Sequence, residues 1–164
     1  MNPYRYFSLV FSYPTGDMLR QIGDLSGIDA PVRSQAALSG LPLEDAQAEY
    51  TRLFISAYPA VLCPPYESYY REGLLYGNSS VESAEWYRRR GLDFTFEGEP
   101  ADHLSVELEF LALTGDRAFL NKLGQWVYKF TERVKGNSKL YGVCAEELEN
   151  FLVIELCRTD AVVT

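Results

Sequence analysis

Apolar residues recur along most of this chain three and four positions apart, the spacing of one face of an α-helix. Asn2-Pro3 has the form of a cap followed by proline in the first turn. It opens an apolar helix expected to run to about Tyr13 and to stop before Pro14. Residues 16 to 40 carry short helical pieces divided by Gly16, Gly23, Gly27, Pro31 and Gly40. Pro42 opens the next helix, with Leu43, Ala46, Tyr50, Leu53 and Phe54 at helical spacing. Tyr58 to Pro65 is a loop by composition, and a helix from Pro65 through Tyr66, Tyr69, Tyr70 and Leu74 is predicted to end at Gly77 or Asn78. Ser79-Ser80-Val81-Glu82 has the form of a capping box. The helix it opens closes on Arg88-Arg89-Arg90-Gly91, cations at the negative helix end before a glycine.

Leu92 to Phe96 alternates as a strand would, but it has no partner run, so it is predicted as extended linker with a loop to Ala101. Asp102 is predicted to cap a helix that starts near His103 and carries Leu104, Leu108 and Leu111 on one stripe. Asp116 is predicted to cap one long helix holding Phe119, Leu123, Trp126, Val127, Phe130 and Val134, broken at Gly136-Asn137. The last helix runs from about Ser138 to Cys157, with Tyr141, Cys144, Leu148, Phe151 or Leu152, and Leu156 inward. The predicted fold is all-α: one helical-bundle domain over residues 1–164, with a long hinge-like loop near residues 91–102.

Composition fits that picture. The 164 residues suit one domain, and 47% hydrophobic residues can build a core. No run reaches the roughly 18 apolar residues of a membrane span, so no stable membrane insertion is expected. The N-terminal apolar stretch is short, broken by Ser8 and Ser12, and lacks a small-residue cleavage site, unlike a signal peptide. Three cysteines without paired spacing suggest a reduced, cytoplasmic chain, with Cys144 and Cys157 packed in the core and Cys63, beside Pro64-Pro65, exposed.

Charge changes the picture more. The net of −8 argues against a general nucleic-acid partner, which would need a basic face. Between residues 66 and 109 ten acids face four bases, and no Lys or Arg occurs from Gly91 to Asp116. Such a run is most simply a solvated acidic face. The interleaved aromatics Tyr66, Tyr69, Tyr70, Tyr76, Trp86 and Tyr87 also suit a ligand carrying both arginines and apolar residues.

Chemistry-bearing motifs are scarce. His103 is the one histidine, next to Asp102 and four residues after Glu99. A small hydrolase or nucleotide-binding enzyme built on Glu99, Asp102 and His103 is the alternative reading. Neighbouring residues seldom achieve the orientation of a catalytic Asp–His pair, and no nucleophile motif accompanies them. No metal-ligand spacing and no phosphate loop is present, so no metal site and no cofactor are expected. A helical adaptor with an apolar docking groove is a third reading.

Two segments carry a resemblance. Cys63-Pro64-Pro65-Tyr66-Glu67-Ser68-Tyr69-Tyr70 is followed, about thirty residues on, by Glu99-Pro100-Ala101-Asp102-His103-Leu104-Ser105-Val106-Glu107-Leu108-Glu109-Phe110. Paired at this separation, they resemble the TorD/DmsD/NarJ family of redox-enzyme maturation chaperones. Tyr50-x-x-Leu53-Phe54, Tyr87 to Leu92, and Trp126 to Phe130 resemble the family more loosely, and the likeness covers residues 43 to 157. The resemblance implies an all-helical cytoplasmic chaperone without catalytic turnover. Its implied partner is the catalytic subunit of a dimethyl-sulfoxide-reductase-type molybdoenzyme, bound as apoprotein and through its basic, often twin-arginine, leader. By match to the family's positions, the implied leader-binding residues are Tyr66, Glu67, Tyr70, Trp86, Glu99, Pro100, Asp102 and His103. Asp102 or Glu99 is expected to meet an arginine while His103 and Pro100 hold the loop. The linker of residues 91–102 is compatible with a monomer or with a dimer that exchanges helical halves.

Overall fold

A computed structural model of the chain describes residues 1–24, 31–93 and 99–158. Ten α-helices lie among the described residues: α1 Pro3–Val10, α2 Gly16–Gly23, α3 Val32–Ser39, α4 Leu43–Tyr50, α5 Glu67–Glu72, α6 Asn78–Arg89, α7 Leu104–Thr114, α8 Arg117–Gly124, α9 Val127–Asn137 and α10 Lys139–Cys157. Among them there is no strand, only one antiparallel bridge between Tyr66 and His103. The all-α expectation is met. The predicted linker segment Leu92 to Phe96 lies partly outside the described residues, and with it the question of a hinge.

Two helices start at the predicted caps Asn2 and Asp116, and a third is capped by Ser138, the residue at which it was expected to begin. The Asn2 side chain accepts from the Tyr4 N–H, Asp116 from that of Phe119, and Ser138 from that of Tyr141. Each bond satisfies a donor that the first helical turn would otherwise leave open. Ser138→Ala is expected to lower the unfolding free energy by about 1 kcal/mol, read from the midpoint of chemical denaturation at unchanged slope.

Other boundaries differ from expectation. Helix α1 ends at Val10, short of Tyr13, and Phe11 closes it. The helix after Asp116 is two: Trp126 (φ −127°, ψ −28°) leaves helical geometry and turns its indole inward. Gly124 just before it lets α10 approach; a Cβ there would sit 3.1 Å from a Leu156 methyl. Helix α5 starts at Glu67 and ends at Gly73, which adopts φ 77° as its C-cap, so it is shorter at both ends than predicted. Helix α6 begins one residue before the predicted box, and Gly77 at its N-cap offers no side chain. Instead Glu72 reaches across and accepts from the Ser79 N–H at 2.8 Å. Helix α4 continues into a π-helical turn, Thr51–Ile55, closed by Ser56 N–H to Thr51 C=O at 2.8 Å.

The interior is crowded with rings, as the 14% aromatic content implies. Phe11, Tyr50, Phe54, Phe130 and Tyr141 form one edge-to-face cluster where α1, α4, α9 and α10 meet. Tyr87, Phe110 and Phe119 form a second among α6, α7 and α8. Tyr70 stacked on Trp126 bridges towards Phe130. Such pairs contribute about 0.5–1.5 kcal/mol each beyond their buried area. Helix α1 packs closely along α7, where the small, buried Ser8 donates to the Ser105 carbonyl at 2.7 Å. The cysteine expectation is partly reversed: Cys63 and Cys144 are buried and Cys157 is exposed. The Cys63 N–H is tied to the Leu53 carbonyl at 2.9 Å, which draws the residue under the loop. Burial pushes its thiol up to about 11.

Candidate functional site

The two distant motifs meet through backbone bonds. Leu104 N–H donates to the Pro65 carbonyl at 2.9 Å, and Glu67 N–H to the Asp102 carbonyl at 3.2 Å. These bonds frame the Tyr66–His103 bridge and hold Tyr66 extended (φ −130°, ψ 131°), so the helix cannot begin at Pro65. His103 N–H donates to the Pro100 carbonyl at 3.1 Å, turning the Glu99–His103 loop. Tyr87 adds a bond from its hydroxyl to the Ala101 carbonyl at 2.6 Å.

Asp102 does not cap its own helix. It is wholly buried, and its Oδ2 accepts from the Ser68 N–H at 2.8 Å, so it caps α5 from across the bridge. The cap of α7 is His103, whose Nδ1 accepts from the Ser105 N–H at 3.1 Å and lies 2.8 Å from the Ser105 hydroxyl. Because Nδ1 accepts, the proton of the neutral ring belongs on Nε2. That nitrogen stands 4.0 Å from Glu99 Oε2. Burial lowers the His103 pKa to about 4, and the half-exposed Glu99 is too distant and too solvated to offset this.

This geometry suits holding better than turnover. Asp102 accepts at Ser68 and forms no hydrogen bond with the His103 ring, so the Asp–His pair of the hydrolase reading is not assembled. An imidazole of such low basicity, with Nδ1 already capping a helix, is a weak general base near neutral pH.

Behind the bridge lies a buried ionic cluster that the sequence reading missed. Lys122 Nζ donates to both Glu67 oxygens at 2.6 Å and to Ser83 Oγ at 2.9 Å. Its ammonium is 3.8 Å from Glu107 Oε1. Ser83 Oγ–H donates to Glu107 Oε1 at 3.0 Å, and Trp126 Nε1–H to Glu107 Oε2 at 3.2 Å. Burial, then the charge of Glu67, holds the Glu107 carboxyl well above the ordinary carboxylate range. The cluster ties α5, α6, α7 and α8 together behind the motif residues. A glutamate set between Val106 and Leu108 in an apolar helix was its one sequence signal. Glu67, Asp102 and Glu107 are all wholly buried, so the acidic surface is smaller than the charge count suggests.

In front of the bridge is a groove of about 650 Å³. Arg5 and Ser8 of α1, with Ser12 just beyond its end, line one wall, and Ser105 and Glu109 of α7, with its cap His103, line another. Tyr13, Tyr50, Phe54, Ile55 and Tyr66 give it aromatic and apolar surface. The π turn after α4 delivers Phe54 and Ile55. Glu99 lines the groove with its side chain 48% exposed, and the Tyr66 hydroxyl donates to it at 2.9 Å.

Of the motif residues, the structure brings Tyr66, Glu99 and His103 together in this groove. Pro100, Asp102 and Glu67 lie behind them as supports. Tyr70 and Trp86 face elsewhere. Tyr70 stacks on Trp126 at 5.7 Å, with the Arg133 guanidinium 5.9 Å from its ring centre. Trp86 packs edge-on against Phe119 at 5.7 Å and lines a separate shallow depression with Val81, Glu82 and Arg89. Arg5, Tyr13, Tyr50, Ser105 and Glu109 were not anticipated as site residues: helix packing brings Arg5, Tyr13 and Tyr50 to the groove, while Ser105 and Glu109 lie within the second motif segment.

A sequence model of the nitrate reductase delta subunit family matches residues 25–151. A crystal structure from Archaeoglobus fulgidus, provisionally described as a redox enzyme maturation protein, is 38% identical to the chain. It superposes with a TM-score of 0.82, covering 92% of this chain and 91% of that one. No curated protein matches the chain at a significant level.

Proposed function

The chain belongs to the nitrate reductase delta subunit family, and on that premise we propose that it is a redox-enzyme maturation chaperone whose α1–α7 groove takes the basic leader of a molybdoenzyme catalytic subunit. The family match agrees with the TorD/DmsD/NarJ resemblance of the two motifs. The observation that carries the ligand class is Glu99, a half-exposed carboxylate set by the Tyr66 hydroxyl at the edge of an aromatic groove. A guanidinium finds there an acceptor and a ring face together, and an apolar stretch finds Phe54, Ile55 and Tyr13. Asp102, Glu67 and Pro100 serve by fixing the loop and α5. The role is holding the leader and the apoprotein in the cytoplasm until cofactor is inserted, with no chemical turnover by the chain itself.

The test is calorimetric titration with a synthetic peptide carrying two adjacent arginines before an apolar run. Glu99→Gln is expected to weaken binding by about 1 kcal/mol, roughly fivefold, the scale of a partly solvated charge-assisted hydrogen bond. Added salt is expected to weaken the wild type more than the variant. Unchanged affinity in both Glu99→Gln and Tyr66→Ala, with the fold intact, would remove the groove from leader binding. Affinity purification of the tagged chain from its host, under conditions where molybdoenzymes are expressed, is expected to recover a molybdoenzyme catalytic subunit.

A further inference from the structure

Among the described residues, the groove lining holds two carboxylates, Glu99 and Glu109, and a single cation, Arg5. Arg5 Nη1 donates to Glu109 Oε1 at 2.8 Å. The contacts Arg5–Glu109 and Ser8–Ser105 run in opposite sequence directions, so α1 and α7 are antiparallel along the groove. Glu109 therefore lies six residues along α7 from His103, about 9 Å of helix axis, and Glu99 stands beside His103. A guanidinium of the protein's own thus occupies the second acidic position of the groove, while the first, Glu99, meets the Tyr66 hydroxyl and the neutral His103 ring and, among the described residues, no cation.

We infer that Arg5 is a built-in competitor for ligand arginine: it neutralises Glu109 from within and sets how many arginines the groove reads. The inference rests on the leader-binding reading and deepens it. The pair is built to exchange. The Arg5 side chain is 40% exposed and that of Glu109 24%, so both are partly solvated and their attraction is weak. The Arg5 stem can swing into water while its place on Glu109 is taken. In an extended peptide, successive side chains point to opposite sides, so two adjacent arginines diverge enough to address two carboxylates on different parts of the wall. With Arg5 in place, one ligand arginine is rewarded at Glu99 and the second must displace Arg5. Without Arg5, both are rewarded.

The test uses two synthetic peptides that differ only in carrying Arg-Arg or Arg-Gln before the same apolar run. They are titrated at low salt against wild type, Arg5→Gln, Glu109→Gln and the double variant. Arg5→Gln is expected to bind the Arg-Arg peptide about two- to fivefold tighter than wild type, the range of an exposed ion pair, with little change for Arg-Gln. Glu109→Gln in the Arg5→Gln background is expected to return the affinity to the wild-type value. Because the pair is partly exposed, each variant keeps its fold, which circular dichroism and the thermal midpoint check. Equal or weaker binding of Arg-Arg by Arg5→Gln overturns the competitor role. If wild type still binds and Glu99→Gln still weakens it, the leader-binding reading survives that result. Binding by Arg5→Gln alone, with none by wild type, supports the competitor in its strongest form. No binding by any variant overturns both.

Discussion

Lys122→Met is expected to destabilise the protein by about 3–5 kcal/mol, a large share of what holds a domain of this size together. The side chain is nearly buried, and its ammonium answers Glu67 at 2.6 Å, Ser83 at 2.9 Å and Glu107 at 3.8 Å. Met keeps the volume and removes the charge. The wholly buried Glu67 carboxylate then faces the Glu107 carboxyl across Ser83 without its nearest cation, with the more distant Arg71, 3.4 Å away, in partial compensation. Burying an unpaired carboxylate is the expensive part, not the loss of the ion pair as such. The double variant Glu67→Gln with Lys122→Met is therefore expected to recover much of the loss, and equilibrium denaturation at constant slope measures both. A Lys122→Met protein as stable as wild type would mean that the cluster is neutral in the fold. Trp126 should report the change as well, since its indole donates to Glu107.

The second large effect is in acid. His103 is neutral in the fold with its pKa lowered to about 4, against about 6.5 when unfolded. The unfolded chain therefore binds more protons between those values, and stability falls as pH drops from 6.5 through 4. The loss attributable to this one ring is up to about 3 kcal/mol, at 1.36 kcal/mol per unit. Glu107 acts in the opposite sense. Its raised folded value means that the folded state keeps a proton the unfolded state has shed, so its contribution fades as pH rises above about 4.5. The two slopes oppose each other in the acid range, so the wild-type curve alone does not separate them. The difference in unfolding free energy between wild type and His103→Asn, an alternative helix cap, isolates the imidazole. That difference should shrink steadily as pH is lowered from 7 to 4. A difference independent of pH would show that burial does not lower the pKa of the ring in the fold.

How much of this was legible in the sequence depends on whether the informative contact is local. The caps at Asn2 and Asp116 were readable, and the start of α10 at Ser138 with them, because donor and acceptor lie within a few residues. Three other helices are capped by carboxylates from elsewhere. Glu147 takes the Arg33 and Ser34 N–H groups of α3, Asp102 takes Ser68 of α5, and Glu72 takes Ser79 of α6. A local rule assigns such carboxylates to the nearest helix, as it assigned Asp102 to α7. The same limit explains the charge count, which took Glu67, Asp102 and Glu107 as surface acids although packing buries them. The paired motifs located the bridge, and with it Tyr66, Glu99 and His103. The α1 wall stayed out of reach because only the packing of α1 against α7 brings Arg5 to Glu109.

The bond between Asp102 and the Ser68 N–H joins positions 34 residues apart. Closing a loop of that length costs about 3 kcal/mol of chain entropy, but doubling the loop adds only about 0.6 kcal/mol. Lengthening is therefore thermodynamically cheap where the intervening chain is exposed, as at Leu74 to Tyr76 between α5 and α6. Insertions there leave the two ends free to find each other. A single added residue between Tyr66 and Ser68, or between Asp102 and His103, shifts the register of the bridge and dismantles cap and groove together. Length variation is thus expected to be tolerated in the span between the two ends of the site and not at the ends themselves.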